Sequence, residues 1–175
     1  MVNRLVKTKV FLSVFITLVG ILSISTSVQA EGKKLIYESS RQGIEWKVYL
    51  VNKRLVKKLE LGGENRRLYL IDLEVNSSYD GITRQTNLVQ CSTSKPFVAF
   101  KSDFEQQIAV IDVINPGGSP YGYNSGSHWI YWAVCHNLWQ PWDYDLESRA
   151  TRLGYSTELE SEQIQIPYGL LQYLK

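Results

Sequence analysis

Residues 44–75 read IEWKVYLVNKRLVKKLELGGENRRLYLIDLEV, and this stretch decides the fold class. Apolar side chains recur at every second position in two runs, residues 44–50 and 66–75, which is the period of a strand with one buried face. A Gly-rich turn, residues 62–65, separates the runs, so together they predict a β-hairpin. The pattern of residues 54–61 does not decide between a strand and a helix. The inward side chains of the two runs are Ile44, Trp46, Val48 and Leu50, then Tyr69, Ile71, Leu73 and Val75.

Outside this hairpin, further strands are predicted at residues 34–38, 83–91, 96–101 and 108–115. Residues 115–127 are rich in Gly, Pro and Ser and predict a long loop. Residues 128–139 are strongly apolar and suit a buried strand or helix, whereas residues 145–152 have helical composition with Gly154 as a C-terminal cap. The expected fold is α+β, a mostly antiparallel β-sheet with one or two short helices near the C-terminus and one disulfide.

Residues 1–30 have the order of a cleavable signal peptide. Arg4, Lys7 and Lys9 precede an apolar run of about fifteen residues, which is short for a membrane span, and the segment ends Val28-Gln29-Ala30. The alternative is an uncleaved anchor. We therefore expect cleavage after Ala30, a single secreted globular domain over residues 31–175, a secreted or periplasmic location, and no transmembrane anchor after cleavage.

The charge of residues 31–175 argues against nucleic acid as a partner. The signal segment carries three of the nineteen basic side chains, so sixteen basic and seventeen acidic side chains remain, a net charge of −1. Residues 31–67 are locally basic, with ten basic and five acidic side chains. This excess predicts either a solvated strand face or a weakly cationic patch that faces an anionic glycan or membrane.

The chain has two cysteines, Cys91 and Cys135. An even count in an exported protein favours a disulfide over free thiols. The alternative is a reactive Cys135 beside His136, but adjacent residues point in different directions on a strand or a helix.

Catalytic, nucleotide and metal motifs are absent from the sequence, so no cofactor and no metal are expected. His128 and His136 are spaced unsuitably for a chelate on a helix or a strand. Asp143, Asp145 and Glu147 form a carboxylate cluster, which is the acidic first turn of a helix, the site of a small glycosidase-like hydrolase or a calcium-binding site.

Aromatic residues concentrate late in the chain, where four of the five tryptophans lie between Trp129 and Trp142. They either fill the core or form a surface that stacks on sugar rings. The best candidates for an exposed ligand-binding surface lie in Gly, Pro and Asp surroundings: Tyr121, Tyr123, Trp142 and Tyr144.

The layout resembles that of small two-cysteine exported bacterial domains such as the surface-adhesin protein E type. The shared features are Trp46 early in the domain, strands leading to Cys91, and Cys135 within residues 131–137. About forty residues follow Cys135, which departs from that pattern, and the resemblance assigns no functional residue.

The sequence predicts a non-catalytic binding or cell-envelope protein that uses an aromatic-rich surface, with a glycan or cell-envelope component as partner. A small secreted hydrolase and a structural assembly protein are the alternatives.

Overall fold

The fold is a seven-stranded antiparallel sheet in which every strand pairs with the next one along the chain. It is seen in a computed structural model that describes residues 32–61, 64–120, 124–139 and 145–174. This confirms the predicted mostly antiparallel sheet with helices late in the chain. The strands are β1 (Lys34–Arg41), β2 (Ile44–Leu61), β3 (Glu64–Ser77), β4 (Gly81–Cys91), β5 (Phe97–Lys101), β6 (Ile108–Val113) and β7 (Glu162–Pro167); the helices are α1 (Ser125–His136), α2 (Leu146–Arg152) and a 3₁₀ helix (Tyr168–Leu174).

The hairpin predicted from residues 44–75 is formed by β2 and β3. Residues 54–61, which the sequence left open, continue β2 as a strand. The pairing register shifts between Leu50 and Asn52 and again between Leu55 and Lys57. Each shift inserts one extra residue, which bends the strand and re-aims its side chains. These bulges explain why the simple alternation of the first run does not continue through residues 51–61.

One face of the sheet is covered by α1, and we call it the helix face. Val48, Ile71 and Val89 point from β2, β3 and β4 into one cluster with the fully buried Tyr131 and Trp132 of α1. The helix interpretation of this apolar segment is therefore correct. Its aromatic side chains fill the core, as one of the two interpretations predicted.

α1 crosses β1 at close range, where Gly126 faces Tyr37. A Cβ atom at Gly126 would lie 2.7 Å from Tyr37 Oη, a separation that real contacts do not show. A side chain at this position would push the helix away from the sheet or displace the tyrosine.

The opposite face carries a smaller cluster. Leu68, Leu88, Ala99 and Ala109 are buried there beneath Leu171 of the 3₁₀ helix. The C-terminal tail therefore acts as a partial cover of this face.

The predicted disulfide joins Cys91 at the end of β4 to Cys135 in the last turn of α1. The Cα atoms are 5.5 Å apart, within the range that a disulfide requires. The bond fixes the C-terminal end of α1 to the sheet, and it removes Cys135 as a candidate nucleophile.

The structure departs from the local sequence pattern at the predicted loop and at β7. The loop predicted over residues 115–127 ends sooner, because α1 begins at Ser125. The strand β7 was not predicted, since its residues EQIQIP are mostly exposed and lack a clear apolar run. On β3, Glu74 is buried, and Lys33 at 2.7 Å and Arg84 at 3.4 Å cover its carboxylate.

No helix in the described part of the chain is long and apolar enough to cross a membrane.

Candidate functional site

A recess of about 240 Å³ lies where the end of α1 meets α2, and we call it the cationic recess. Among the described residues it is lined by His136, Arg149, Arg152 and Leu153. α1 ends here because Asn137 adopts the left-handed conformation, with φ of 56°, and donates its N–H to the carbonyl of Ala133. Asparagine tolerates this conformation and is a common helix terminator. The turn leaves His136 at the edge of the helix, half-buried beside α2.

His136 belongs to a chain of hydrogen bonds that runs back to the sheet. Its Nε2 is 2.6 Å from Tyr155 Oη, which is 2.7 Å from Tyr131 Oη, and Tyr131 in turn donates to the carbonyl of Ser92. A carbonyl only accepts, so the tyrosine protons point along the chain towards Ser92. The imidazole therefore donates from Nε2 and keeps the lone pair of Nδ1.

Positive charge surrounds this imidazole from three elements of the fold. Burial first, and then the charges of Arg67 of β3, Arg149 of α2 and Lys53 of β2 in that order, together lower the pKa of His136 to about 4. At neutral pH the ring is uncharged, while the guanidinium and ammonium groups around it stay charged. The recess is therefore a region of positive potential built around a neutral imidazole.

One of these cations, Lys53, also has structural contacts. The ammonium of Lys53 donates to the carbonyl of Val134 and lies 4.4 Å from the centroid of the Tyr69 ring. A cation near the last carbonyls of a helix stabilises that end. Arg149, in the middle of α2, is half-buried beside the recess.

The carboxylate of Glu64 is already engaged. It accepts hydrogen bonds from Ser92, Thr93, Ser94 and Arg66. Burial raises its pKa, but the hydrogen bonds from Ser92, Ser94 and Arg66 outweigh burial and hold the pKa well below the usual range. These bonds tie the start of β3 to the loop between β4 and β5. Glu64 therefore fixes the end of the hairpin through local donors and does not line the recess.

The four aromatic residues predicted to form a ligand-binding surface, Tyr121, Tyr123, Trp142 and Tyr144, lie outside the described residues, as does Asp143. Trp139 is the nearest described residue before 140–144. It is half-buried, its indole N–H donates to Asn137 Oδ1, and the ammonium of Lys34 is 5.0 Å from its ring centroid.

The remaining carboxylates of the predicted cluster have the local role that the sequence offered as one interpretation. Asp145 is the N-cap of α2, where Oδ1 accepts from the backbone N–H of Ser148 and Oδ2 from its hydroxyl. Glu147 lies in the first turn, near the positive end of the helix.

The two histidines contact different parts of the molecule. His128, in the first turn of α1, is buried and donates from Nε2 to the carbonyl of Asn115, whereas His136, the last residue of α1, contacts Tyr155. Over residues 32–61, 64–120, 124–139 and 145–174, no three His, Cys, Asp or Glu side chains come close enough to hold a metal ion.

Sequence reasoning missed the convergence of Lys53, Arg67, Arg149 and Arg152. The sequence contains the parts of this cluster separately. The hairpin has basic pairs, and two arginines three residues apart share one face of a helix. Only the tertiary packing brings them together around His136.

Comparison of this chain with models of protein families, with curated proteins and with solved structures found no match.

Proposed function

We propose that this protein is a non-catalytic binding protein of a secreted or periplasmic compartment, and that it binds a glycan or another component of the cell envelope. The signal-like segment of residues 1–30 and the Cys91–Cys135 disulfide support an oxidising compartment outside the cytoplasm.

The observation that carries the proposal is the cationic recess. Its described lining joins two arginines, a neutral imidazole and an apolar side chain at a concave surface. Concave sites that combine apolar contacts with a few oriented polar groups are typical of ligand binding.

The arrangement favours binding over hydrolysis. Acid–base hydrolysis needs two groups whose environments separate their pKa values. Asp145 has both oxygens hydrogen-bonded to Ser148, and His136 is bonded to Tyr155. These contacts hold both groups in local structural roles.

The aromatic residues Tyr121, Tyr123, Trp142 and Tyr144 remain part of the proposal as a second contact surface, because tryptophan and tyrosine rings stack well on sugars. Trp139, half-buried beside Lys34, precedes residues 140–144.

Binding is tested with glycans, peptidoglycan fragments and cell-envelope extracts, read by tryptophan fluorescence on the protein secreted from its full-length chain. We expect saturable binding of at least one component, and Trp142→Ala to weaken it by about 1 kcal/mol or more. An unchanged affinity in Trp142→Ala would remove that residue from the site. Failure of every fraction to bind would refute the proposed function.

Export is tested separately by mass spectrometry of the secreted form. Cleavage after Ala30 gives an N-terminus at Glu31. A product that retains residues 10–24 would contradict export through a cleaved signal.

A further inference from the structure

We propose that copies of this protein associate head to tail, with the free edge of β2 in one copy pairing with the free edge of β7 in the next copy. This inference concerns a surface for a second copy of the chain and goes beyond the proposed binding of an envelope component. Two open edges of the sheet carry it, because they have opposite charges and both expose apolar side chains.

The second half of β2 forms the first free edge. β1 pairs with β2 only over residues 44–50, and no other strand of the described residues lies beside residues 52–61 on that side. After the expected cleavage following Ala30, three residues precede β1, and they could extend its pairing only as far as about residue 54. Residues 55–61 of the secreted form therefore present an edge whose outward backbone groups can pair with another strand.

β7 forms the second free edge, at the other end of the sheet. It pairs with β6 along its whole length, and the described part of the chain places no strand on its other side. With six residues, β7 suits the length of the open segment 55–61. An added strand gains main-chain hydrogen bonds along its length, which is how extended segments bind to sheet edges.

The two edges have opposite charges. Residues 52–61 contain four basic side chains and one acidic side chain, a net charge of +3, whereas residues 158–167 contain three acidic side chains and no basic one, a net charge of −3. The basic side chains are not equally available. Lys53 donates to the carbonyl of Val134, but Arg54 and Lys57 are exposed and have no ion-pair partner within the described ranges.

The acidic side chains next to and on β7 are also available. All three are exposed, and none has an ion-pair partner in the part of the chain that the structure describes. They recur at every second position, as Glu158, Glu160 and Glu162.

Charge decides which edges can meet. Two β2 edges, or two β7 edges, would bring side chains of one sign together, and lysines and bulges keep a free edge from pairing with its own kind. A β2 edge and a β7 edge bring opposite signs together. Leu55 and Leu59 on β2 are 49% and 39% exposed, and Ile164 on β7 is 37% exposed, so the contact would also bury apolar surface.

Such a contact joins two different surfaces of the same chain. Each copy that uses its β2 edge keeps its β7 edge free, so further copies can add. The association therefore produces a growing row of copies, or a ring if the rotation between neighbours closes.

Sedimentation velocity of the secreted protein over a range of concentrations tests the inference. We expect association that increases with protein concentration and decreases with salt, because ions screen exposed charges. Arg54→Glu with Lys57→Glu should lower the association constant at least tenfold, since both edges are then acidic. Glu160→Lys with Glu162→Lys should lower it by a similar factor, since both edges are then basic.

The matched control is Glu45→Lys with Asp80→Lys. Both residues are exposed, and they lie away from the two free edges, Glu45 where β2 pairs with β1 and Asp80 in the turn between β3 and β4. The control changes the net charge as much as the β7 variant does, and we expect it to change the association constant less than twofold.

The variant that carries all four edge substitutions separates edge pairing from general attraction between charged proteins. Its net charge equals that of the wild type, and its two edges again have opposite signs, with β2 acidic and β7 basic. We expect it to recover at least half of the wild-type association constant.

Amide hydrogen exchange, followed by NMR on the wild type, gives a measurement that needs no variant. Pairing of the edges should slow exchange at alternate residues of segment 55–61 and of β7 as the protein concentration rises, because every second N–H of an antiparallel strand points to the same neighbour. Contacts between side chains alone would not produce this alternation.

A wild type that stays monomeric at every concentration would overturn the inference. So would an equal loss of association in the control, a folded fourfold variant that stays monomeric, or exchange rates at the two edges that do not change with concentration. Binding of envelope components is measured separately, so none of these results would refute the proposed binding function.

Discussion

On the helix face the sheet buries Trp132 and Tyr131 completely, whereas on the opposite face Leu171 of the C-terminal 3₁₀ helix covers a cluster of leucine and alanine side chains. The helix face is also tied by the disulfide. Stability therefore concentrates under α1, and the cationic recess lies at the end of this rigid helix. A site supported by a well-packed element keeps its geometry when a ligand binds.

The strongest test of this difference is Trp132→Ala. Trp132 is fully buried, and its indole N–H donates to the carbonyl of Pro116. Losing the ring and the hydrogen bond should lower the free energy of unfolding by about 4–5 kcal/mol, measured by denaturant titration. Tyr79→Ala is the control, because Tyr79 is 79% exposed and should cost less than about 0.5 kcal/mol. Similar losses in the two variants would show that α1 does not close the core.

Removing the disulfide by Cys91→Ala with Cys135→Ala is the next largest change. The two residues are 44 positions apart, so the bond restricts a long loop in the unfolded chain. We expect a loss of about 4 kcal/mol in the free energy of unfolding. Reduction of the wild type should reproduce most of this loss. A melting temperature unchanged by both treatments would show that the disulfide does not stabilise the fold.

Acid should weaken the helix face through His128. Burial lowers the pKa of this histidine to about 4, below its value of about 6.5 in the unfolded chain. The unfolded state therefore binds the extra proton first, and stability present above pH 6.5 is lost as the pH falls towards 4. Between pH 7 and pH 5 we expect a loss of about 2 kcal/mol from His128.

His136→Gln separates the two histidines, because it removes the second group whose pKa is lowered. Carboxylates with lowered pKa values lose their contribution to the free energy of unfolding only below about pH 4.5, which is outside the interval from pH 7 to pH 5. A free energy of unfolding that stays constant between pH 7 and pH 5 in His136→Gln would show that His128 is not buried in its neutral form.

The smallest expected effect is that of Leu171→Ala on the opposite face. Leu171 is buried, but it lies in a terminal 3₁₀ helix that can relax around the change. We expect a loss of about 2 kcal/mol in the free energy of unfolding, the lower end for a buried leucine. A loss as large as that of Trp132→Ala would show that the two faces support the fold equally.

Much of the sheet followed from local pattern. Alternation in residues 44–50 and 66–75 placed Val48, Ile71 and Leu73 on one face, where the structure buries them. Residues 54–61 were ambiguous because two bulges interrupt the alternation, and β7 was missed because it pairs with β6 through an exposed segment. Bulges and edge pairing depend on the partner strand, which a local pattern does not contain.

The candidate site shows the same division. The sequence by itself determined the antiparallel sheet, because the sheet follows from local periodicity. It also determined the disulfide, because the chain has only Cys91 and Cys135, and the acidic start of α2, because carboxylates are favoured at the first turn of a helix. Only the tertiary structure decided that residues 128–136 form a helix and that Lys53, Arg67 and Arg149 meet around His136. The physical reason is that the local pattern specifies which side chains are apolar enough to be buried. The convergence of charged side chains from β2, β3, α1 and α2 depends instead on how those elements pack.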